Sequence, residues 1–444
     1  MKIKFANFIF LLVFIFSSPV WANVNTLSDC SLPSVTKAIS AATDGDSIIC
    51  PSGNWTWSEK VTINKNIEFR GSGPDYTIIT PVIGTAIVIT GAKSFNINGF
   101  SFVGPSNQQY GFIQIASSGN GWRIHNCKFI NGIPRNIWVG NETDMTYGLI
   151  DNNMFILSTS GSMQGISILG AGIASRKENF MAYLGTINAV YIENNIFDFN
   201  DRSDGAIDAG NAARFVFRHN LVKGTQIGMH GTDSGYRVGV AFYEIYENVF
   251  TGKAAGNAPL GAGYWIRSGT GVIYNNRISG IWNLGGCGEY FCFTNYRTFG
   301  PESWSGKCDG TKWKYTPPAS LSLTGEYKFC SVTKDQICKV NSDCPYSETC
   351  SEFMDGSGLL GYPCRAQVGV GPNQTLEPVY MWNNINTDSN KILGAASVVD
   401  HIVIGRDVIV EKTRPGYSAY IFPHPLSKTI INKLPLVPSN IEIK

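Results

Sequence analysis

Along the middle of the chain, apolar and polar residues alternate in short runs punctuated by asparagine pairs, and the pattern recurs. Ile97-Asn98-Gly99-Phe100-Ser101-Phe102 is followed by Ile124-His125-Asn126-Cys127-Lys128-Phe129, Ile150-Asp151-Asn152-Asn153-Met154-Phe155 and Ile192-Glu193-Asn194-Asn195-Ile196-Phe197. Phe217-Arg218-His219-Asn220-Leu221-Val222, Ile245-Tyr246-Glu247-Asn248-Val249-Phe250 and Ile273-Tyr274-Asn275-Asn276-Arg277-Ile278 continue it, and Met381-Trp382-Asn383-Asn384-Ile385 returns late. The starts at 97, 124, 150, 192, 217, 245 and 273 lie 25 to 28 residues apart except for one interval of 42, which fits one coil plus an insertion near Ala171 to Gly185. A fixed period in the twenties marks a solenoid, and the period-two alternation says strands rather than helices. Second runs such as Gly165-Ile166-Ser167-Ile168-Leu169 and Gln226-Ile227-Gly228-Met229-His230 give each coil two or three strands. The expected fold class is all-β, a parallel β-helix.

The fourth motif position (Cys127, Asn153, Asn195, Asn220, Asn248, Asn276, Asn384) stacks coil upon coil in this reading. Asn there tolerates a left-handed turn and can bond its counterpart in the next coil. The other strand of each coil is registered by its inward apolar pair: Ile137/Val139, Ile166/Ile168, Ile207/Ala209, Ile227/Met229 and Tyr264/Ile266. Because side chains alternate in and out, Trp138, Ser167, Asp208, Gly228 and Trp265 face outward, as do Gly140, Leu169, Gly210, His230 and Arg267 just after each pair. His230 and Arg267 become column neighbours with Asp208 diagonally adjacent, an arrangement that a one-residue slip reverses.

Composition narrows the classes. Of 444 residues, 48 are Gly, which suits many tight turns; hydrophobic residues reach 43% and charged ones 15%, which excludes a disordered chain. A formal net charge of +2 gives no positive field for nucleic acid. Lys2 and Lys4, the apolar run Phe8 to Phe16 and small residues up to Ala22 read as a secretory signal peptide, too short to span a membrane. The protein is therefore expected to be secreted, extracellular or periplasmic, with no membrane span, and to be a monomer. Export makes the 11 Cys readable as disulfides; Cys127, alone inside a repeat, is the odd thiol, and Cys330 to Cys350 form a loop-rich cluster. Cys30 and Cys50 bracket the helical pattern Leu32 to Ala42 and the first strand, so a bridge is expected between them. The domain reading is 1–22 signal peptide, 23–282 β-helix with an N-terminal capping helix, 283–377 disulfide-rich insertion and 378–444 last coils with a C-terminal wrap.

Together, the Asn-motif repeat, the helical start and Gly45-Asp46-Ser47-Ile48-Ile49-Cys50-Pro51-Ser52-Gly53 resemble the secreted right-handed parallel β-helix proteins of the pectate-lyase-like group. The resemblance covers roughly residues 30 to 282 and returns at about 378 to 410. It implies a helix that plugs the open end of the first coil and an extracellular polysaccharide as partner. One fold carries many chemistries, so the reaction must be argued from residues. Lyases remove the proton beside an uronate carboxylate and need a base and a cation. His230 is the candidate base or acid, Arg267 the carboxylate clamp and Asp208 the third catalytic group. Trp265 and Trp138 are candidate sugar platforms, and Asp233 and Arg237 add to the same rim. Ile266-Arg267-Ser268-Gly269 resembles the Arg motif of the chondroitinase and alginate lyase relatives, with His230 where they carry a Lys. The paired Asp-Asp of polygalacturonases is missing, which places a glycoside hydrolase third. A non-catalytic glycan-binding or adhesive surface protein is the alternative from another class. No cofactor is required by these residues; calcium is the one left open, through Asp198, Asp201, Asp204 and Asp208.

Overall fold

The computed structural model describes residues 23–82, 84–104, 110–117, 119–132, 134–140, 145–158, 164–172, 176, 178–200, 205–232, 238–252, 264–280, 291–294, 308–313 and 327–428. The expected signal peptide lies outside these residues. Among the described residues, three sheets of 12, 11 and 10 strands, parallel except for Lys391–Ile392 at the end of the second, form the walls of a right-handed solenoid of about 11 turns. Each coil visits them in the same order: Asn96–Asn98 in the first sheet, Ser101–Val103 in the second, Ile113–Ile115 in the third, then Asn120–His125 in the first again. The right-handed sense is the one that parallel crossovers adopt almost without exception.

The motif explains the coil. Its opening Ile points inward on the first sheet, with Ile97, Ile124, Ile150, Ile192, Phe217, Ile245, Ile273 and Met381 in direct register. Its closing Phe points inward on the second sheet, where Phe102, Phe129, Phe155 and Phe197 stack with ring centroids 5.5, 4.9 and 4.7 Å apart. Those spacings approach the rise between neighbouring strands, about 4.8 Å, so the rings form one continuous ladder.

Between the two sheets the fourth-position residues form the interior ladder that the repeat predicts. Asn153, Asn195, Asn220 and Asn248 each donate Nδ2 to the Oδ1 of the Asn one coil on, at 3.0–3.1 Å, and Asn276 donates to Asn384 at 2.8 Å. Cys127 joins through its backbone N–H, 3.0 Å from Asn153 Oδ1, while its buried thiol remains free. One detail differs from the sequence reading. The left-handed residue is the third position, with φ of 50° at Asn126, 55° at Asn152, 57° at Asn194 and 54° at His219, not the ladder Asn. The division has a cause: the turn turns the fourth side chain inward, where its amide satisfies backbone groups that water cannot reach.

Outside the coils, the insertion expected near Ala171 to Gly185 is present and carries the short helix Phe180–Tyr183, with Phe180 buried against the first sheet. The chain from Arg414 to Lys428 runs back over the same face as a strap. Arg218 anchors it: its guanidinium is paired with Glu193 at 2.6 Å and donates to the carbonyls of Tyr420 and Ile421 at 2.7 and 2.9 Å. Glu193 in turn accepts from the backbone N–H of His424, and Glu244 accepts from Tyr417 Oη at 2.5 Å and from the N–H of Gly185 at 2.7 Å. The outer face of the first sheet is thereby covered from the coil of Arg123 to that of Trp382.

The amphipathic helix is present as Leu32–Ala41 and contributes Val35, Ala38 and Ile39 to the interior cluster. Cys30 and Cys50 form a disulfide. Within 283–377, Phe291–Phe293 continues the third sheet rather than leaving the solenoid, pairing with Ala395–Ser397. Further on, Cys330–Cys344, Cys338–Cys350 and Cys308–Cys364 hold a small antiparallel module. Arg365 is fully buried there beside Asp335, with its guanidinium 4.2 Å from the Phe329 ring centroid.

Candidate functional site

The third sheet carries the predicted register. Ile137 pairs with Ile166, Ile166 with Ile207 and Ile207 with Ile227, so Trp138, Ser167, Asp208 and Gly228 stand in one outward column. The backbone of Trp265 follows Gly228 in that column; the Trp265 side chain lies outside the described parts. Four steps of about 4.8 Å make the column from Trp138 to Trp265 roughly 19 Å long, room for several sugar units. Asp233 and Arg237 also lie outside the described residues.

The structure brings Asp208 and His230 together. His230 Nε2 sits 2.7 Å from Asp208 Oδ1, with side-chain exposures of 24% and 19%, so the pair is held yet reachable. The backbone fixes the imidazole as well. His230 N–H donates to Ala209 O at 2.7 Å, and Ser268 Oγ, fully buried, donates to His230 O at 2.6 Å. Gly228 separates Asp208 from the next coil and adds no side chain over it, leaving the carboxylate open to the groove. Its Cβ equivalent would meet Ile207 O at 3.3 Å and Asp208 Oδ1 at 3.9 Å.

Arg267 departs from the exposed clamp that the alternation suggests. It is only 7% exposed, and its Nε donates to Met229 O at 2.7 Å, so it braces the groove floor. Two coils before Asp208, Trp138 heads a polar platform that sequence reasoning found only in part. Arg135 places its guanidinium 4.6 Å from the Trp138 ring centroid, and Tyr110 meets the same ring edge-on at 5.4 Å. Arg135 Nε donates to Gln164 Oε1 at 3.1 Å, which also accepts from Ser167 Oγ at 2.8 Å. Arg135 carried a signal, since it opens the strand whose outward residue is Trp138.

Other candidates fall away. Asp198 pairs with Lys223 on the second sheet and Asp208 stands on the third, while Asp201 and Asp204, the other two expected calcium ligands, lie outside the described residues. Asp208 is the only carboxylate on the described strands of the third sheet. His125 is buried, which pushes its pKa down to about 3, with the nearby Arg123 charge adding to the effect. His424 lies under the strap with its pKa pushed down to about 4, again mainly by burial. His219 stacks on Phe422 and pairs with Glu247 at 2.9 Å.

The fold is a right-handed parallel β-helix. No family model and no curated sequence matches the chain. Among solved structures, it is similar to the catalytic domain of a GH87 alpha-1,3-glucanase in complex with nigerose, at 14% identity over 64% of this chain and 56% of that one, with a TM-score of 0.38. It is also similar to an alginate lyase from Paenibacillus sp. str. FPU-7, at 12% identity over 62% of this chain and 94% of that one, with a TM-score of 0.38. A PL6 family alginate lyase aligns at 14% identity over 64% of this chain and 46% of that one, with a TM-score of 0.31. The chain spans little more than half the length of the glucanase domain.

Proposed function

We propose that the protein is an exported, polysaccharide-active enzyme that cleaves an uronate-containing glycan by elimination, in the groove on the outer face of the third sheet. The observation that carries this reading is the His230–Asp208 pair, held at 2.7 Å across neighbouring coils and in line with the Trp138 platform. Asp208 orients the ring and stabilises its protonated form, the task a carboxylate performs beside a catalytic imidazole. With Nε2 held by Asp208, Nδ1 takes the proton beside the uronate carboxylate. The electron pair left behind forms the new double bond and expels the glycosidic oxygen, which is protonated by the imidazolium or by water. Arg135 offers a cation to the sugar carboxylates, and the Trp138 ring offers a stacking face. Under the same proposal residues 1–22 are the export signal, and the helix Leu32–Ala41 closes the end of the first coil.

The alternative is a non-catalytic glycan-binding surface, favoured by one observation: the Arg135–Trp138–Tyr110 platform is complete without any reacting group. Turnover and affinity separate the two. His230→Ala removes turnover and leaves oligosaccharide affinity nearly intact if the groove is catalytic, since general acid–base help is worth about 10²–10⁴-fold. If the groove only binds, Trp138→Ala dominates the loss and His230→Ala changes nothing.

A further inference from the structure

Charge is placed sparingly along the third-sheet groove. Among the described strands of that sheet, Arg135 is the only basic residue and Asp208 the only acidic one. The half-buried Arg135 guanidinium spans two coils: it lies 4.6 Å from the Trp138 ring centroid on its own strand, and its Nε donates to Gln164 on the next at 3.1 Å. The His230 imidazole likewise spans two coils, since its Nε2 reaches back to Asp208 at 2.7 Å. From the one group to the other is two coil rises, about 10 Å. Between them lies the coil of Gln164–Leu169, where the stretch 157–172 contains no charged residue. Ser167 and Leu169 of that coil are only 2% and 7% exposed, so they make a flat, uncharged floor.

A pyranose unit of an extended glycan is about as long as one coil is high, about 4.8 Å, so a chain lying along the column sets one sugar over each coil. With a uronate at the His230–Asp208 pair, the sugar at Arg135 is two units away. We propose that Arg135 is the specificity-determining residue of the groove, and that it selects glycans in which a uronate recurs at every second unit. Its planar guanidinium, held by the Trp138 face and by Gln164, suits a carboxylate bound through two parallel hydrogen bonds. The unit in between meets the uncharged floor. A neutral sugar fits there at no electrostatic cost, whereas a carboxylate loses water without gaining a cation, or must turn away into solvent. The substrate class is therefore a copolymer that alternates a uronate with a neutral sugar, and homopolyuronates are accepted less well. This spacing rests on the elimination proposed above, which fixes the first uronate at His230; recognition of a carboxylate by Arg135 does not.

Hexasaccharides of alternating uronate–hexosamine glycans and of homopolyuronates test it on the full chain, with turnover read by ultraviolet absorbance and affinity by calorimetry. The parent is expected to bind an alternating hexasaccharide more tightly than any homopolyuronate one. Arg135→Gln raises Kd and KM for it about 10- to 100-fold, the worth of a charge-assisted contact, and leaves kcat within about twofold, because the contact lies two units from the reacting atoms. Arg135→Lys keeps the charge and recovers part of the loss, and unchanged circular dichroism certifies that both variants fold. A parent that binds none of the hexasaccharides, one that prefers a homopolyuronate, or a Kd unchanged by Arg135→Gln overturns the proposal. Should no glycan yield unsaturated product while an alternating hexasaccharide still binds tightest and loses its affinity in Arg135→Gln, the elimination fails and the selectivity stands.

Discussion

Asn220 is a middle rung of the interior ladder, and replacing it by Ala isolates what that ladder contributes. Its amide makes four hydrogen bonds. Nδ2 donates to Ile192 O at 3.0 Å and to Asn248 Oδ1 at 3.1 Å; Oδ1 accepts from the backbone N–H of Asn195 at 2.9 Å and from Asn195 Nδ2 at 3.1 Å. Two of the four partners are insured. Asn248 Oδ1 keeps the Asn220 backbone N–H at 2.9 Å, and Asn195 Nδ2 keeps the carbonyls of Ile150 and Glu193. The other two are not: the Asn195 N–H is orphaned in a position closed to water, and the Ile192 carbonyl loses a donor. At about 1–3 kcal/mol for each buried polar group left short, Asn220→Ala is expected to cost about 2–6 kcal/mol. Urea unfolding followed by circular dichroism measures the loss, and amide exchange locates it, with the Asn195 amide exchanging faster than those of distant coils. As control, Asn194→Gly keeps the left-handed backbone (φ 57°) and should change stability by only a few tenths of a kcal/mol. A loss below about 1 kcal/mol for Asn220→Ala would refute the claim that the ladder is a main tie between coils.

Three further outcomes follow from the geometry. Replacing both Cys30 and Cys50 by Ala opens a loop of 20 residues and should lower stability by about 3 kcal/mol in thermal or urea unfolding. Burial raises the Glu244 pKa from 4.5 to about 7, among Tyr191, Tyr246, Tyr274, Tyr417 and Arg218. The folded state thus holds this proton more tightly than the unfolded one, so the stabilisation is fully present below pH 4.5 and is lost as pH rises through about 7, and Glu244→Gln should flatten melting temperature against pH over that window. Burial pushes the Cys127 thiol up to about 12, so it should resist alkylation in the native protein and react only on unfolding.

Much of the fold was legible because the chain repeats itself. A side chain with two neighbours of its own kind, one coil on either side, has its direction fixed by the whole column, so the inward Ile and Phe and the ladder Asn could be placed from spacing alone. The left-handed residue could not. In Ile192-Glu193-Asn194-Asn195 either Asn suits the turn, and only Glu247 and His219, which stand in the turn slot of their own coils with φ of 55° and 54°, show that the slot is the third. Asp208 and His230 were read correctly as neighbours, because both belong to strands or their immediate ends with known inward pairs. Arg267 was not, since it follows the strand Tyr264–Ile266, where the chain bends and alternation no longer dictates direction. The anchors of the strap were invisible in the sequence: Arg218 and Tyr420 are 202 residues apart, and no local pattern joins them.

The proposed reaction in the groove beside His230 and Asp208 is elimination on an uronate glycan. Its most direct test is ultraviolet absorbance of the purified protein with a panel of polyuronates and neutral glycans, with parent, His230→Ala and Asp208→Asn run in parallel. Unsaturated product is expected from at least one polyuronate with the parent, with a loss of about 10²–10⁴-fold in His230→Ala and a smaller loss in Asp208→Asn. Unsaturated product formed equally by all three proteins, or no product from any polyuronate, would contradict it.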